Sequence, residues 1–109
     1  MRNQTVTRSA DLAFAALADP TRRAVLDLLR QGRRPAGEIA RAFPISRPAV
    51  SKHLRLLREA DLVVETRDGR NHFYQLNPKP LKLVDRWLAH YRKFWSSKLS
   101  DLKTFVESR

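Results

Sequence analysis

The spacing of hydrophobic residues in this chain changes near its middle. Up to Ala60 the apolar residues recur at helical spacing, whereas residues 62–67 and 70–76 have the composition of β-strands. These two runs flank Asp68-Gly69, and Asp-Gly in such a place is typical of a two-residue type I′ turn. The sequence therefore predicts a helical body followed by one β-hairpin.

The first two predicted helices are marked by capping residues. Ser9 is expected to cap a short helix over residues 10–18. Asp19-Pro20 combines a preferred N-cap residue with proline at the first helical position, which predicts the start of a second helix. Gly32 is expected at the C′ position of that helix, where a left-handed backbone favours glycine.

Two further helices are predicted after a linker over residues 33–35. The first spans about residues 36–43, and the second spans about residues 47–60 with Ser46 as its N-cap. A tight turn that contains Pro44 separates them. Two helices joined by a tight turn and followed by a hairpin form a winged helix-turn-helix, in which the second helix of the pair reads DNA.

One long helix is predicted after the hairpin, from about Pro80 to Glu107. Its length of about 42 Å would exceed the core of a domain of this size. The predicted fold class is therefore mainly α with a small β-hairpin, in the order α-α-α-α-β-β-α, and residues 1–109 are expected to form a single domain. The apolar residues of the long helix recur every three or four positions, at Leu81, Val84, Leu88, Tyr91, Trp95, Leu99, Leu102 and Val106.

Charge composition constrains the binding partner. The 109 residues include 22 Lys and Arg against 11 Asp and Glu, which gives a net charge of +11 at pH 7. Because 42% of the residues are hydrophobic, the chain is expected to fold and to carry this charge on its surface. A surface so positive repels itself unless a polyanion neutralises it, and nucleic acid is the usual polyanion.

Several classes of protein are excluded by the same composition. The sequence has no Cys, which excludes disulfides, thiolate metal sites and Cys nucleophiles. Its 3 Gly cannot form a glycine-rich phosphate loop. The longest apolar run, residues 12–18, is far too short to span a membrane, and the protein is expected in the cytoplasm. Since no catalytic set of side chains stands out, we expect neither an enzyme nor a cofactor.

The helix over residues 47–60 carries the candidate base-reading side chains. Val50, Leu54 and Leu57 share one face, which is expected to be buried. The candidates for DNA binding near the N-terminus of this helix are Ser46, Arg47, Pro48, Ser51, Lys52 and Arg55. Arg47 and Lys52 can donate to O6 and N7 of guanine, and Ser51 can donate or accept. The alternative is an ordinary solvated basic helix face.

The tip of the predicted hairpin carries two more candidates, Arg67 and Arg70. With Asp68-Gly69 as the turn, these arginines are expected to face each other across the strands. Opposed like charges destabilise a hairpin, and a DNA phosphate or a minor-groove edge between them would relieve the repulsion. The alternative is that both arginines extend into water. In the same register, His72 is expected to face Glu65.

Three motifs stand out, namely Asp19-Pro20-Thr21-Arg22-Arg23, the run from Ile45 to Leu57, and Leu62-Val63 leading into Arg67-Asp68-Gly69-Arg70. Together they resemble the ArsR (ArsR/SmtB) family of bacterial winged-helix repressors, over about residues 10–95. The resemblance implies a homodimer that binds a palindromic operator. The chain departs from the metal-sensing members in two places. Residues 37–43 contain no Cys, and Trp87 stands two positions after Asp85, where the zinc-binding members have a histidine. No metal site is therefore expected.

A dimer requires an apolar surface that the core of the helix-turn-helix does not use. The first and last helices supply the candidates, which are Leu12, Phe14, Leu17, Leu81, Val84, Leu88, Tyr91 and Trp95. One alternative is that the last helix packs on its own domain. Another is that its aromatic residues line an effector pocket.

The sequence thus predicts a sequence-specific, homodimeric transcriptional repressor of the kind that commonly regulates its own gene. The main alternative is a non-specific architectural protein that binds DNA or RNA through the same charge. A winged helix used only for protein–protein contacts would leave the exposed Lys52 and Arg55 unexplained. The sequence identifies no small-molecule effector.

Overall fold

The computed structural model describes residues 4–108, with side chains from Arg8 onward. The elements in chain order are α1 (Gln4–Leu17), α2 (Pro20–Leu29), β1 (Arg34–Pro35), α3 (Ala36–Ala42), α4 (Arg47–Glu59), β2 (Val63–Asp68), β3 (Asn71–Leu76) and α5 (Leu81–Glu107). This order confirms the predicted, mainly helical winged helix-turn-helix, with one strand more than expected.

Helices α2 and α4 begin where predicted because each has a side-chain cap. The Asp19 carboxylate accepts a hydrogen bond from the backbone N–H of Arg22 at 2.9 Å. The Ser46 hydroxyl accepts one from the backbone N–H of Ala49 at 3.2 Å. These caps satisfy donors that the first turn of a helix leaves without a partner, so they fix where each helix starts.

The other two helix boundaries predicted from single residues are wrong. Helix α1 begins at Gln4, so Ser9 lies inside it and does not cap it. Serine acts as an N-cap only where the chain enters the helix, and here the helix continues on both sides. The C-cap of α2 is Arg30, which keeps a helical backbone and donates to the Leu26 carbonyl at 2.9 Å. Gly32 therefore lies at the C″ position rather than at C′, with φ of +138°.

Residues 34–35 form a strand where the sequence suggested a linker. Strand β1 pairs antiparallel with β3, which gives a three-stranded sheet in the order β1-β3-β2. Two residues are too few to show an alternating pattern, so nothing local marks Arg34-Pro35 as a strand. Arg34 and Pro35 form a strand because they pair with the edge of β3.

The hairpin has a different register from the one expected. Asp68 pairs with Asn71, so the two turn residues are Gly69 and Arg70. Gly69 has φ of +65°, whereas Arg70 has no positive φ. Glycine at the first turn position followed by an ordinary residue is typical of a type II′ turn rather than type I′. The Asp-Gly pair was therefore misleading, because Asp68 remains in the strand.

The hydrophobic core lies between the helices and the sheet. As predicted, α4 buries Val50, Leu54 and Leu57. The residues packed with them include Val25, Leu26, Leu29, Ile39, Leu62 and Val63. Because one face of α4 is fixed in this core, the opposite face is held toward solvent in a defined orientation.

The chain passes from α4 into β2 through a Schellman motif, which was not among the predicted features. Asp61 has φ of 59°. Its N–H donates to the Arg58 carbonyl, and the N–H of Leu62 donates to the Leu57 carbonyl, both at 3.0 Å. Leu57 and Leu62 are both 0% exposed, which completes the apolar contact of this motif. The motif sets the direction in which the hairpin leaves α4.

Helix α5 gives the chain an elongated shape. The radius of gyration is 18.4 Å, against about 13 Å for a compact chain of 100 residues. None of the 27 residues of α5 is buried. Within residues 4–108, neither α5 nor any other helix is long and apolar enough to cross a membrane.

Candidate nucleic-acid interface

The outer face of α4 presents the side chains expected to contact DNA. Ser46, Arg47, Pro48, Ser51, Lys52 and Arg55 are all exposed. We call these six residues the α4 strip. Pro48, Ser51, Lys52 and Arg55 lie on the side opposite the buried face of the helix, Arg47 lies nearer its boundary, and Ser46 is the N-cap. The core therefore holds the backbone of the strip in a fixed orientation toward solvent.

A groove of about 580 Å³ separates the α4 strip from the sheet. Its lining consists of Pro48, Ser51, Lys52, Arg55, Arg58 and Tyr74. The last two were not predicted. Arg58 follows Arg55 by three residues, so helical spacing would have placed it beside the strip. Tyr74 comes from β3, and no local pattern in the sequence connects it with α4.

The carboxylate of Glu65 in β2 contacts side chains of both β3 and α4. Its carboxylate accepts a hydrogen bond from the Arg58 guanidinium and lies 2.5 Å from Nδ1 of His72. The hydrogen bond with His72 is the main cause that lowers the pKa of Glu65, and the charge of Arg58 lowers it further. Burial raises the pKa of Tyr74, and the negative charge of Glu65 adds to that rise. The wing is thus joined to the C-terminal half of α4 by an ionic contact.

The two wing arginines are exposed but do not oppose each other. Arg67 pairs with His72, while Arg70 occupies the turn. The like-charge pairing expected from the sequence is wrong, because the turn at Gly69-Arg70 moves the partner of each β2 residue by two positions along β3. The predicted contact between His72 and Glu65 is nevertheless present, as a diagonal contact between neighbouring strands.

The candidate dimer surface is formed by α1 and α5. Phe14 packs edge-on against Trp87, with 5.5 Å between ring centroids and 78° between ring planes. Trp87 also contacts Tyr91, with 4.8 Å between centroids. Leu17 and Leu81 pack against the core of their own chain. Trp87 was not among the predicted interface residues, although its aromatic contacts connect α1 with α5.

Much of this surface remains open to solvent. Leu12 is 37% exposed, Tyr91 is 44% exposed and Trp95 is 49% exposed, while Val84 and Leu88 are half-buried. Further along α5, the large apolar side chains with more than half of their area exposed are Phe94, Leu99, Leu102, Phe105 and Val106. An exposed apolar patch of this kind is typical of a protein–protein contact.

The histidines lie on three separate elements. His53 of α4 has its Nδ1 3.9 Å from the Asp19 carboxylate, His72 contacts Glu65, and His90 lies on α5. In the part of the chain that the structure describes, no three or more metal-ligating side chains come together.

A helix-turn-helix with a basic outer strip, an attached β-wing and a large excess of positive charge defines a winged-helix DNA-binding protein. Known proteins with similar sequences belong to the same class. Residues 17–66 match a family described as a helix-turn-helix domain. The chain is 42% identical over 101 residues to the HTH-type transcriptional regulator Rv2034 of Mycobacterium tuberculosis, covering 93% of this chain and 92% of that protein. It is 41% identical over 78 residues to the transcriptional repressor SdpR of Bacillus subtilis, covering 72% and 87%.

Solved structures give the same result. An ArsR family transcriptional regulator, RHA00566, superposes with a TM-score of 0.73 at 33% identity, covering 81% of this chain and 97% of that chain. An ArsR-like transcriptional regulator from Rhodococcus sp. RHA1 gives a TM-score of 0.70 at 31% identity, covering 94% and 97%. The chain belongs to the ArsR family of winged helix-turn-helix, DNA-binding transcriptional regulators, as the sequence motifs implied.

Proposed function

We propose that this protein is a homodimeric repressor that binds a palindromic operator through α4 and the wing. The observation that carries the proposal is the α4 strip, a set of exposed cationic and small polar side chains on a helix whose opposite face is buried. Such a helix fits the major groove of B-DNA, where the bases present distinct patterns of donors and acceptors. The whole chain, residues 1–109, acts as one DNA-binding domain in the cytoplasm.

The α4 strip and the wing have different tasks in this proposal. Lys52 and Ser51 lie in the middle of the strip and contact base edges. Arg55 lies one turn further along α4 and contacts the sugar-phosphate backbone. Arg67 and Arg70 reach an adjacent phosphate or the edge of the minor groove, where the potential is negative. The Glu65 contact holds the wing at a fixed distance from α4, so both elements meet the same duplex.

The second subunit is held by α1 and α5. The elongated shape of the chain and the exposed aromatic residues of α5 support this role, because both are explained when a twin subunit covers that surface. Leu12, Phe14, Val84, Leu88, Tyr91 and Trp95 are the proposed contacts, with Leu17 and Leu81 supporting them from the core. A two-fold dimer presents two copies of α4, and their separation sets the spacing of the two half-sites.

Repression follows from occupancy of an operator that overlaps a promoter. SdpR of Bacillus subtilis is named a transcriptional repressor, and related regulators commonly act on their own genes. We therefore place the operator upstream of the gene that encodes this chain.

Footprinting on that upstream DNA tests the proposal. Two protected half-sites about 10 base pairs apart, related by a palindrome, are expected from a dimer on one face of the duplex. The competing candidate is an architectural protein that uses the net charge of +11 without reading sequence. Protection that spreads evenly along the fragment as the protein concentration rises would favour that candidate.

A further inference from the structure

Two arginine side chains from different helices converge on Gly37 of α3. A Cβ atom added to Gly37 would stand 3.4 Å from Nη1 of Arg41 and 3.7 Å from Nη2 of Arg47. Gly37 has no positive φ, so the backbone at this position does not itself require glycine. The absence of a side chain instead leaves room for about one atom in contact with both guanidinium groups.

No anion of the described chain neutralises this pair. Within residues 8–108, neither Arg41 nor Arg47 forms an ion pair, and both are exposed. The acidic residue of α3, Glu38, pairs instead with Arg34 at 3.7 Å. Two guanidinium groups held over the same point repel each other, and an anion between them turns that repulsion into two charge-assisted hydrogen bonds.

The position of the pair in the fold identifies the anion. Arg47 is the first residue of α4, the helix proposed to enter the major groove, and Arg41 belongs to α3, the preceding helix of the helix-turn-helix. In this motif the first helix crosses the DNA backbone while the second reads the bases. The group that comes to the junction of the two helices is therefore a backbone phosphate.

We propose that Gly37, Arg41 and Arg47 form a seat for one phosphate of duplex DNA, here called the phosphate seat. The inference rests on the proposed function and adds to it. It introduces Arg41 and Gly37 as part of the interface, and it assigns Arg47 to the backbone rather than to the guanine edge expected from the sequence. Specific recognition then depends more on Lys52 and Ser51.

The first test removes a charge. Arg41→Gln is compared with Arg86→Gln, a control that removes the same charge from an exposed position of α5. Binding is measured by fluorescence anisotropy at several salt concentrations, with a duplex from upstream of the gene and a shuffled duplex of equal length. Arg41→Gln is expected to weaken binding to both duplexes about tenfold. It should also reduce the slope of log K against log salt by about 0.9 per seat, or about 2 for a dimer.

The second test fills the seat without changing the charge. Gly37→Ala adds a methyl group in contact with both guanidinium groups, at the position proposed for one phosphate oxygen, while both arginines remain. Alanine favours a helix over glycine, so the melting temperature should stay equal or rise. Affinity for both duplexes should nevertheless fall several-fold, with a smaller salt slope.

Either variant can overturn the proposal. A salt slope in Arg41→Gln no smaller than in Arg86→Gln removes Arg41 from the interface. Wild-type affinity in a folded Gly37→Ala protein shows that nothing occupies the space. Both measurements use shuffled DNA as well as upstream DNA. A wild-type protein that fails to prefer the upstream duplex would therefore contradict the proposed repressor function while leaving the seat testable.

Discussion

The side chains of Glu65 and His72 are in contact, 2.5 Å apart, although the two residues do not pair with each other in the β-ladder. The partner of Glu65 is Tyr74, and His72 lies two positions along the same strand. The other oxygen of the Glu65 carboxylate contacts Arg58 of α4. One carboxylate therefore connects both strands of the wing with the helix proposed to read DNA.

This connection predicts that Glu65→Gln weakens the fold in a pH-dependent way. The pKa of Glu65 is lowered in the folded chain from its ordinary value of 4.5, first by His72 and then by Arg58. The carboxylate therefore adds stability above that value, and the contribution is lost as the pH falls through the lowered pKa. We expect Glu65→Gln to reduce the free energy of unfolding by about 1 kcal/mol at pH 7.

Urea unfolding from pH 7 to pH 3 measures this effect, with Glu59→Gln as the control on α4. The difference between wild type and Glu65→Gln should shrink toward zero at the acidic end. A constant difference across the whole range would mean that the charge of Glu65 does not matter.

Arg22 and Arg23 are predicted to stabilise the end of α1. Nε of Arg22 donates to the Ala16 carbonyl at 2.8 Å, and Nη1 of Arg23 donates to the Leu17 carbonyl at 2.7 Å. These carbonyls have no partner within the helix, and a positive charge is favourable at a helix C-terminus. Arg22→Gln should lower the free energy of unfolding by about 1 kcal/mol or more. Chemical denaturation checks this, and a loss no larger than that in Arg86→Gln would contradict it.

The wing tip is predicted to contribute affinity without contributing stability. Arg70 lies in the turn and does not oppose Arg67, so Arg70→Ala relieves no repulsion and should leave the melting temperature unchanged. If Arg70 contacts a phosphate, the variant should bind all duplexes more weakly, and the salt slope should fall by about 2 for a dimer. An unchanged slope would show that the tip does not touch the backbone.

Trp95 is predicted to hold the dimer together. It is 49% exposed in the single chain, so truncation should cost the monomer little. Trp95→Ala should weaken the dimer by about 2 kcal/mol if the residue lies at the centre of the contact. Sedimentation equilibrium gives the dissociation constant, and circular dichroism reports whether helical content is retained.

The two possible roles of Trp95 give different results. A variant that dissociates at higher concentration than wild type while it keeps its helices supports the interface. Lost helical content with no dependence on concentration would place Trp95 in the core of its own chain instead. A variant that stays dimeric at the dilution where wild type dissociates would exclude α5 around Trp95 from the interface.

The sequence predicted the elements whose ends are marked by local chemistry. Asp19-Pro20 and Ser46 fixed the starts of α2 and α4, and the apolar spacing of α4 identified its buried face. The α4 strip followed from that spacing, because the outer face of a helix is determined once the inner face is known.

The features that the sequence missed depend on contacts between distant residues. Strand β1 exists because β3 offers an edge to pair with, and the hairpin register depends on which residue carries the positive φ. The seat at Gly37 requires knowing how α3 and α4 cross, which no local pattern encodes. Tyr74 enters the groove for the same reason, since the sheet folds back onto α4.

The ratio of affinities for operator and shuffled DNA distinguishes a sequence-specific repressor from a protein that binds DNA through charge alone. The full-length protein is titrated with a duplex from upstream of its own gene and with a shuffled duplex of identical length and composition, both at one fixed salt concentration. A sequence-specific repressor should prefer the upstream duplex by about a thousandfold or more, with two subunits bound to each site. Equal affinity for the two duplexes, falling in parallel as salt is added, would contradict sequence-specific repression and leave only attraction between a basic protein and a polyanion.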